Sequence, residues 1–339
     1  MRLDRYHGNP ILTPREGSDW ESLVTCNPGA WYDEDDKLVK MLYRAAGNDP
    51  EHRIHLGMAV SEDGYNFRRV SDRPVFSPSV DGFDAGCVED PRVVRMGDWY
   101  YITYASRPFP PGQYWMPGHQ GFEQTQLPPE CPLALRTNNT ATGLLVTRDF
   151  RSFIRAGRMT NPMVDDRDVI LFPEKIGGKF AMIHRPMNWV GPRYGTTNPA
   201  MWISFSDDLL YWPESRLLAT AQFEWEGGKI GGNTPPIRTD AGWLTLYHAV
   251  GEDKRYRLGA MLLDLDEPWR VLYRSRDWLL QPEEYYELEG YYPGVVFPCG
   301  KVVLDGTLFV YYGGADKYVG LATCSLSELL EYLKSCPST

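Results

Sequence analysis

The chain has 339 residues, a formal net charge of −10, and 42% hydrophobic and 13% aromatic residues. This acidic balance argues against general binding to nucleic acid or to an anionic membrane surface, because both require a local excess of cations. Its 32 glycines and 27 prolines are too many for a helical bundle or a coiled coil, and its apolar content is too high for a disordered chain.

The N-terminal residues show no export signal, and no uninterrupted apolar run reaches the roughly 18 residues that a membrane span needs. The six cysteines are scattered and form no Cys-x-x-Cys pair. This pattern indicates reduced thiols rather than a zinc or redox site. We therefore expect a cytoplasmic protein.

Five short segments share one pattern, in which a polar turn precedes an aromatic and aliphatic strand that ends in a polar residue. Their ends are spaced about 60 to 80 positions apart, which is a long period for a repeat. In chain order the segments are 37–44, 98–104, 178–185, 242–248 and 306–312. We interpret them as equivalent strands of five repeated units.

A second repeated element combines Ser or Thr with acidic residues and ends in an aromatic residue. It occurs at 61–67, 147–153 and 206–212, and in a looser form at 264–269. Each copy predicts an exposed acidic turn between two strands. Several strands per unit at this period predict radial blades. The expected fold is therefore all-β, a single-domain five-bladed β-propeller over residues 1–339.

Two segments lie outside the repeated pattern. Residues 325–334 predict a short C-terminal helix, because four leucines share one face behind a serine cap. Residues 107–142 form an insertion in the second unit, and its prolines do not suit the interior of a sheet. This insertion is either a surface loop or a lid over the mouth of the propeller.

Asp90 is the first candidate for catalysis. It precedes Pro91, so we expect it at the rim of a sheet rather than in the middle of a strand ladder. If the segment is extended, Asp90 and Arg92 share one face and Glu89 lies on the other. At most one of the two acids then faces the axial channel. A purely structural pairing of Asp90 with Arg92 is the alternative.

Four side chains on later units are candidates for an anion site: Arg167, Arg185, Lys229 and His248. Arginine offers paired donors to an oxyanion and lysine a compact charge, and the glycines around Lys229 permit close approach of the backbone. Taken singly, each could cap a strand, neutralise nearby acids or be solvated. Together they suit a divalent oxyanion such as phosphate. No P-loop motif is present, so a nucleotide is not implied.

Several motifs resemble those of glycoside hydrolase family 130, in matching order from about residue 8 to residue 316. They are Val88-Glu-Asp-Pro-Arg92, His184-Arg-Pro186, Gly228-Lys-Ile-Gly-Gly232 and Tyr247-His248. Members of this family are five-bladed propellers that act on β-mannosides, and most are inverting phosphorylases. The resemblance therefore implies a propeller enzyme of this kind.

The resemblance also implies roles for the candidate residues. Asp90 would be the general acid. The phosphate ligands would be Arg167, Arg185, Lys229 and His248. Substrate contacts would come from Asn27, Arg44, Arg92 and Asp316. Asp168 stands where some members carry Asn, so we do not assign it to phosphate.

The implied reaction is reversible phosphorolysis of a non-reducing-end β-mannosidic bond, which releases α-D-mannose 1-phosphate. Phosphate is already an anion, so it needs cations that position it rather than a base. Residues 187–201 resemble members that act on β-1,2-linked mannobiose and oligomannosides, with β-1,4-mannosides as the nearest alternative. Trp115, Tyr114, Trp189 and Tyr194 are either aromatic platforms for the acceptor sugar or ordinary loop packing.

Two other functions remain as alternatives. An inverting β-mannosidase needs a carboxylate base, for which Glu224, Glu226 or Asp165 could serve. A sugar-binding propeller without catalysis is the third reading.

We expect no cofactor, with inorganic phosphate as co-substrate, and no metal, because no His and carboxylate cluster has ligand spacing. The expected partners are a β-mannoside oligosaccharide, inorganic phosphate and mannose 1-phosphate. Neither nucleic acid nor a membrane is expected, and homo-oligomerisation is left open.

Overall fold

Runs of aromatic and aliphatic residues, separated by Gly, Asp and Asn turns, form strands along the whole chain. The computed structural model describes residues 1–116, 127–132 and 136–336. In those residues the secondary structure is nearly all β, with 21 strands, a 3-10 turn over Glu224–Glu226 and two short helices, α1 (Tyr285–Leu288) and α2 (Leu326–Ser335). Neither helix in this described part has the length and apolar character of a membrane span.

The described strands form four hydrogen-bonded sheets. The largest sheet, of eight strands, consists of two antiparallel units joined by a single parallel bridge between Ile54 and Cys87, so the antiparallel units number five. The first is β2 (Val24–Asp33), β3 (Leu38–Ala46), β4 (Ile54–Ser61) and β5 (Arg68–Arg69). The second is β6 (Cys87–Met96), β7 (Trp99–Arg107), β8 (Ala141–Thr147) and β9 (Ile154–Arg158). The third is β10 (Asp166–Leu171), β11 (Phe180–Pro186), β12 (Met201–Ser206) and β13 (Glu214–Ala219).

The last two units vary this pattern. In the fourth, β14 (Lys229–Gly232) and β15 (Ile237–Thr239) both pair with β16 (Gly242–Val250), which is followed by β17 (Tyr256–Leu263) and β18 (Val271–Arg274). The fifth contains β19 (Val296–Leu304), β20 (Thr307–Gly314) and β21 (Tyr318–Ser325). Its outer strand is β1 (Asp4–Arg5), which comes from the N-terminus and pairs antiparallel with β21.

Both repeated sequence elements have equivalent places in these units. The five predicted repeat strands correspond to β3, β7, β11, β16 and β20, the second long strand of each unit. The acidic turns connect the third and fourth strands. In three of them an aspartate, Asp63, Asp149 or Asp208, accepts hydrogen bonds from two backbone N–H groups that follow it. These turns were therefore predicted correctly from their Ser/Thr-x-Asp spacing.

The hydrophobic core is divided among the interfaces between units. One buried cluster joins each consecutive pair of units, and a further cluster joins the fifth unit to the first. Representative pairs, in order from the first interface, are Leu42 with Ile102, Leu144 with Met182, Ile183 with Trp243, Leu246 with Val310, and Phe309 with Val39. Packing between the units is therefore cyclic.

Helix α2 lies after the last strand. Ser325 caps it by accepting a hydrogen bond from the Glu328 N–H at 3.3 Å, and Leu329 and Leu333 are fully buried. The helix begins and ends one residue later than the predicted 325–334. Part of the predicted insertion, 107–142, lies outside the described residues at 117–126 and 133–135. The choice between surface loop and lid therefore stays a prediction there.

Candidate active site

A cavity of about 190 Å³ lies where the five units meet, and every unit contributes side chains to its wall. Eight of the nine site residues predicted from the sequence line it: Asn27, Arg44, Asp90, Arg92, Arg167, Arg185, Lys229 and Asp316. Residues that are separated by more than two hundred positions in the sequence are thus neighbours in one pocket. The ninth, His248, does not line the cavity.

Three inner strands present polar side chains to the cavity through the same backbone irregularity. Asn27 in β2, Asp90 in β6 and Asp168 in β10 have φ angles of 46°, 52° and 55°. The pairing register of each strand shifts at that point. Asn and Asp tolerate the left-handed region better than most residues, and a bulge redirects the side chain next to it. The bulges thus direct these three side chains to one place.

The bulge in β6 makes one expectation from the sequence wrong. Strict alternation would put Glu89 and Asp90 on opposite faces, yet both line the cavity. Arg44 Nη1 lies 3.1 Å from Glu89 Oε2 and 3.6 Å from Asp90 Oδ1. The register shift between Glu89 and Arg92 breaks the period of two on which the expectation depended.

Arg92 does not form the structural pair with the Asp90 carboxylate that was the alternative to a catalytic Asp90. Its Nη1 donates to the backbone carbonyl of Asp90 at 2.9 Å, and its Nε donates to the carbonyl of Asn233 at 3.0 Å. Its Nη2 lies 3.7 Å from Asp168 Oδ1. The Asp90 carboxyl therefore remains directed at the cavity.

Carboxyl groups gather around Arg44 on one side of the cavity. Asn27 Nδ2 donates to Asp90 Oδ1 at 2.8 Å, and the Tyr114 hydroxyl donates to Asp316 Oδ2 at 2.9 Å. Arg44 Nη1 lies 3.9 Å from Asp316 Oδ2. Burial raises the pKa of Asp90, and the nearby Glu89 carboxylate raises it further. Burial also raises the pKa of Asp316. Asp90 thus keeps its proton to a higher pH than an exposed aspartate, as a general acid must.

Cations gather on the other side. Arg167 donates through Nε and Nη2 to Asp165 at 2.9 and 2.8 Å, Arg185 Nε donates to Asp168 at 2.6 Å, and Lys229 Nζ donates to the Tyr256 hydroxyl at 2.7 Å. Burial lowers the pKa of Lys229 to about 7, and the positive charges of Arg185 and Arg167 add to this effect. Such crowding of cations is unfavourable unless an anion joins them.

Arg107 and Tyr256 also line this side of the cavity, and neither was predicted from the sequence. Burial lowers the pKa of Arg107, and the Arg167 guanidinium lowers it further. Arg107 ends β7, three residues after the predicted repeat segment stops at Tyr104. If each predicted repeat strand had been extended by three residues, the second would have included Arg107.

His248 lies behind the cationic side. Its side chain is fully buried, its Nδ1 is 3.0 Å from Asn233 Oδ1, and its Nε2 is 3.7 Å from Asp168 Oδ2. Burial lowers its pKa to about 3, so the ring is neutral at physiological pH. A Cβ at Gly231 would lie 2.6 Å from both Arg185 Nε and His248 Cε1. The glycine predicted to allow close approach therefore lets His248 and Arg185 pack together.

Only one of the four predicted aromatic platforms lines the cavity. Tyr114 does so, whereas Trp115 packs against the rings of His52 and Tyr291, with centroids 4.6 and 4.4 Å away. Trp189 and Tyr194 stack on each other at 5.7 Å and do not contribute to the wall. In this structure the loop-packing alternative describes Trp115, Trp189 and Tyr194.

The carboxylates suggested for a hydrolytic base lie outside the wall. Glu226 is fully buried and bonded to Arg274 Nη2 at 2.8 Å. Asp165 is paired with Arg167, and Glu224 belongs to the 3-10 turn. Among the described residues no group of three or more His, Cys, Asp and Glu side chains could hold a metal ion.

Comparisons with known proteins find relatives over nearly the whole chain. A family model described as β-1,4-mannooligosaccharide phosphorylase matches residues 2–114 and 134–335. The 1,2-β-oligomannan phosphorylase of Thermoanaerobacter sp. (strain X514) is 35% identical over 335 residues, which covers 97% of this chain and 99% of that protein. The β-1,2-mannobiose phosphorylase of Listeria innocua is 32% identical over 282 residues, or 83% of this chain and 69% of that protein.

A solved structure of the Listeria innocua β-1,2-mannobiose phosphorylase, in complex with β-1,2-mannobiose, superposes with a TM-score of 0.79. The two chains are 27% identical, and the match covers 98% of this chain and 99% of that one. The likeness therefore extends over all five units.

Proposed function

This chain belongs to glycoside hydrolase family 130, and from that premise we propose that it is an inverting β-mannoside phosphorylase. It transfers a mannosyl group from the non-reducing end of a β-mannoside to inorganic phosphate. The products are α-D-mannose 1-phosphate and a sugar shortened by one residue, and the reaction is reversible.

The observation that carries the proposal is the placement in one cavity of Asp90, whose pKa is raised by burial, and of three basic side chains, Arg167, Arg185 and Lys229. Inversion requires an acid for the leaving oxygen and a nucleophile on the opposite face of the sugar ring. Phosphate brings its own negative charge, so fixed cations can position it without a general base.

The proposed reaction is a single displacement. A phosphate oxygen forms a bond to C1 of the mannosyl residue while the C1–O bond to the leaving sugar breaks. The Asp90 proton goes to the leaving oxygen, directly or through a sugar hydroxyl, and Asp90 is left ionised until it regains a proton from solvent. Asn27, Arg44 and Asp316 hold the mannosyl hydroxyls, and Arg92 supports the Asp90 segment.

We propose β-1,2 as the linkage, supported by the two curated relatives, which are named for β-1,2-oligomannan and β-1,2-mannobiose. The family model carries a β-1,4 description, so β-1,4-mannosides are the competing substrate. His248 is proposed to act on phosphate through Asp168 and Arg185, because its own ring does not line the cavity.

The competing activity is hydrolysis by an inverting β-mannosidase. Asp168 is the carboxylate on the cationic side that could act as its base. Although burial opposes ionisation, the guanidinium groups of Arg185 and Arg92 hold the pKa of Asp168 well below its usual range. A carboxylate so stabilised is a weak base, which favours phosphorolysis.

Product analysis by NMR tests these proposals. Purified protein is incubated with β-1,2-mannobiose or a β-1,4-linked isomer, each with and without inorganic phosphate. We expect α-mannose 1-phosphate only when phosphate is present, and faster turnover of the β-1,2 isomer. Equal cleavage with and without phosphate, with free mannose as product, would establish the hydrolase instead. An Arg185→Met variant should raise the KM for phosphate much more than the KM for mannobiose.

We further propose that the five antiparallel units are the blades of a five-bladed propeller in a single domain over residues 1–339. The cyclic packing of the units and the N-terminal origin of β1 support this arrangement. Inorganic phosphate is proposed as co-substrate with no separate cofactor. A cytoplasmic location stays a prediction from the sequence.

A further inference from the structure

Asp168 is a carboxylate in the part of the cavity that the proposed function assigns to phosphate. It lines the wall next to Arg167 and is 6% exposed. Its Oδ2 accepts a hydrogen bond from Arg185 Nε at 2.6 Å. Among the described residues its Oδ1 has no donor within hydrogen-bond distance, since Arg92 Nη2 is 3.7 Å away. One oxygen is thus fixed, and the other is available to a ligand.

A carboxylate in this position discriminates between anions. An ionised carboxylate only accepts hydrogen bonds, so it repels an oxyanion unless that anion offers an O–H group. At pH 7.5 inorganic phosphate is mainly HPO₄²⁻, which carries one such group, and the remaining H₂PO₄⁻ carries two. Sulfate and fluorophosphate are dianions of similar size and carry none.

We propose that the Asp168 carboxylate accepts a hydrogen bond from the protonated oxygen of HPO₄²⁻ and thereby selects phosphate over dianions that have no proton. This inference rests on the proposed function and deepens it, because it names the ionic form of the co-substrate. The remaining phosphate oxygens face Arg167, Arg185 and Lys229.

The surroundings of Asp168 keep it in the acceptor form. Arg185 is bonded to one oxygen, and the Arg92 guanidinium lies 3.7 Å from the other. The proton therefore stays on phosphate and does not move to Asp168. During displacement an unprotonated phosphate oxygen attacks C1, so mannose 1-phosphate first forms as its monoanion with the P–OH intact. It loses that proton only after release.

Binding of three anions to ligand-free protein, measured by calorimetry, tests the inference: inorganic phosphate, sulfate and monofluorophosphate at pH 7.5. We expect the wild-type protein to bind phosphate at least about tenfold more tightly than the other two, because a carboxylate left facing an anion without a proton loses a charge-assisted hydrogen bond. In Asp168→Asn the ratio should fall to within about threefold, since an amide can donate as well as accept.

Asp165→Asn is the matched control. Asp165 pairs with a cation of the same cluster, Arg167, but does not line the cavity. Its substitution removes the same charge, so all three affinities should change together and the ratio should remain at least about tenfold.

Two results would overturn the inference while leaving the proposed function intact: wild-type protein that binds sulfate or fluorophosphate as tightly as phosphate, or an Asp168→Asn variant that keeps the wild-type ratio. If Asp168→Asn does not fold, the wild-type comparison decides alone. Failure of the proposed function is distinct, because wild-type protein would then neither bind phosphate nor require it for turnover.

Discussion

Three side chains of the cavity wall, Asn27, Asp90 and Asp168, occupy equivalent bulges of their inner strands with positive φ angles. A residue other than glycine in this region costs about 1 to 3 kcal/mol unless the surrounding structure holds it there. Asn and Asp bear the lowest cost, because their short polar side chains bond locally. The same strained bulge thus recurs at three places where the fold directs polar groups at the proposed substrate.

Asp90→Asn tests the general acid. The amide cannot supply a proton, so kcat for β-1,2-mannobiose should fall by about 10² to 10⁴. Because burial raises the pKa of Asp90, wild-type activity should decline as pH rises through that pKa, and the variant should lack this decline. An aryl β-mannoside with a nitrophenyl leaving group needs little protonation, so its phosphorolysis should lose far less. Equal losses for both substrates would refute the acid role.

Lys229→Arg tests the cationic side through pH. With a pKa of about 7 in the ligand-free protein, Lys229 is charged below that pH and neutral above it. Wild-type kcat/KM for phosphate should therefore fall about tenfold per pH unit above 7, apart from the ionisation of phosphate itself. Arginine stays charged throughout. The ratio of wild-type to variant profiles cancels the phosphate term, and a flat ratio would contradict the assignment.

Much of this site could be predicted from the sequence. Asp90 was found by its position before a proline, Arg185 by ending a repeat strand, and Arg167 and Lys229 by their acidic and glycine-rich surroundings in the sequence. Asn27, Arg44 and Asp316 were assigned only through the family resemblance. Two features could not be found in this way. The Glu89 side chain lines the cavity only because a bulge breaks the alternation of side chains along the strand. His248 is buried because it packs against Gly231 and Asp168, and these contacts leave no local pattern in the sequence.

At the scale of elements, four of the five units share a buried tyrosine on their second long strand. The hydroxyls of Tyr43, Tyr104, Tyr247 and Tyr312 each donate to a buried carboxylate, on Glu21, Asp84, Glu226 and Glu287. Each carboxylate also binds an arginine, and a glycine of the next strand lies against each tyrosine ring. This repeated triad of tyrosine, carboxylate and arginine links the strands within each of these four units.

The third unit replaces the tyrosine with His184. Its Nδ1 lies 2.8 Å from Asp166 Oδ2, and its Nε2 lies 2.9 Å from Ser204 Oγ. Hydrogen-bonded contacts from Ser to His to Asp are also found in the catalytic triad of serine hydrolases. However, Ser204 is fully buried and bonded to Ser215, so no substrate reaches it. The group is structural, as the tyrosine triads are.

Tyr247→Phe tests the contribution of a triad to stability. The change removes a donor to Glu226 at 2.6 Å and an acceptor for Arg274 Nε at 3.1 Å, all of them buried. The free energy of unfolding, measured in urea, should fall by about 1 to 3 kcal/mol. Tyr211→Phe is the matched control, because Tyr211 is 69% exposed, and it should leave the unfolding midpoint unchanged. Similar effects of both substitutions would contradict the structural role.

The tyrosine strands can be recognised in the sequence, but their carboxylate partners were not predicted. A strand can be recognised from its own residues, through the turn that precedes it and the alternation of its side chains. The carboxylates lie outside the strands, in the connecting segments before them, so a strand pattern does not include them. A signal was present nonetheless, because each acid precedes its tyrosine by 20 to 25 positions. Comparison of the repeats with one another, rather than each with a strand pattern, would have found it.

For the molecule as a whole, the junction between the last unit and the first determines whether the cavity is complete. Strand β1 leaves the N-terminus to pair with β21 of the fifth unit, while β2 begins the first. The cavity crosses this junction, since Arg44 of the first unit lies 3.9 Å from Asp316, which follows β20. The sequence repeats predicted five units. Strand β1, however, has only two residues, which is too short a segment to be recognised as a strand without knowledge of its partner, β21. The closing strand was therefore not predicted.

Arg5→Ala tests the importance of this closure. Arg5 Nε lies 2.9 Å from Glu287 Oε1, and Glu287 is fully buried. Removal of Arg5 leaves a buried carboxylate without its cation and weakens the attachment of β1, so the free energy of unfolding in urea should fall by about 3 kcal/mol or more. Activity on β-1,2-mannobiose should fall in parallel at temperatures where the junction opens, because Arg44 and Asp316 then separate. Arg53→Ala, which removes an exposed ion pair with Glu51, should alter neither property. An Arg5→Ala protein as stable as the Arg53→Ala protein would mean that packing between β2 and the fifth unit holds the junction without β1.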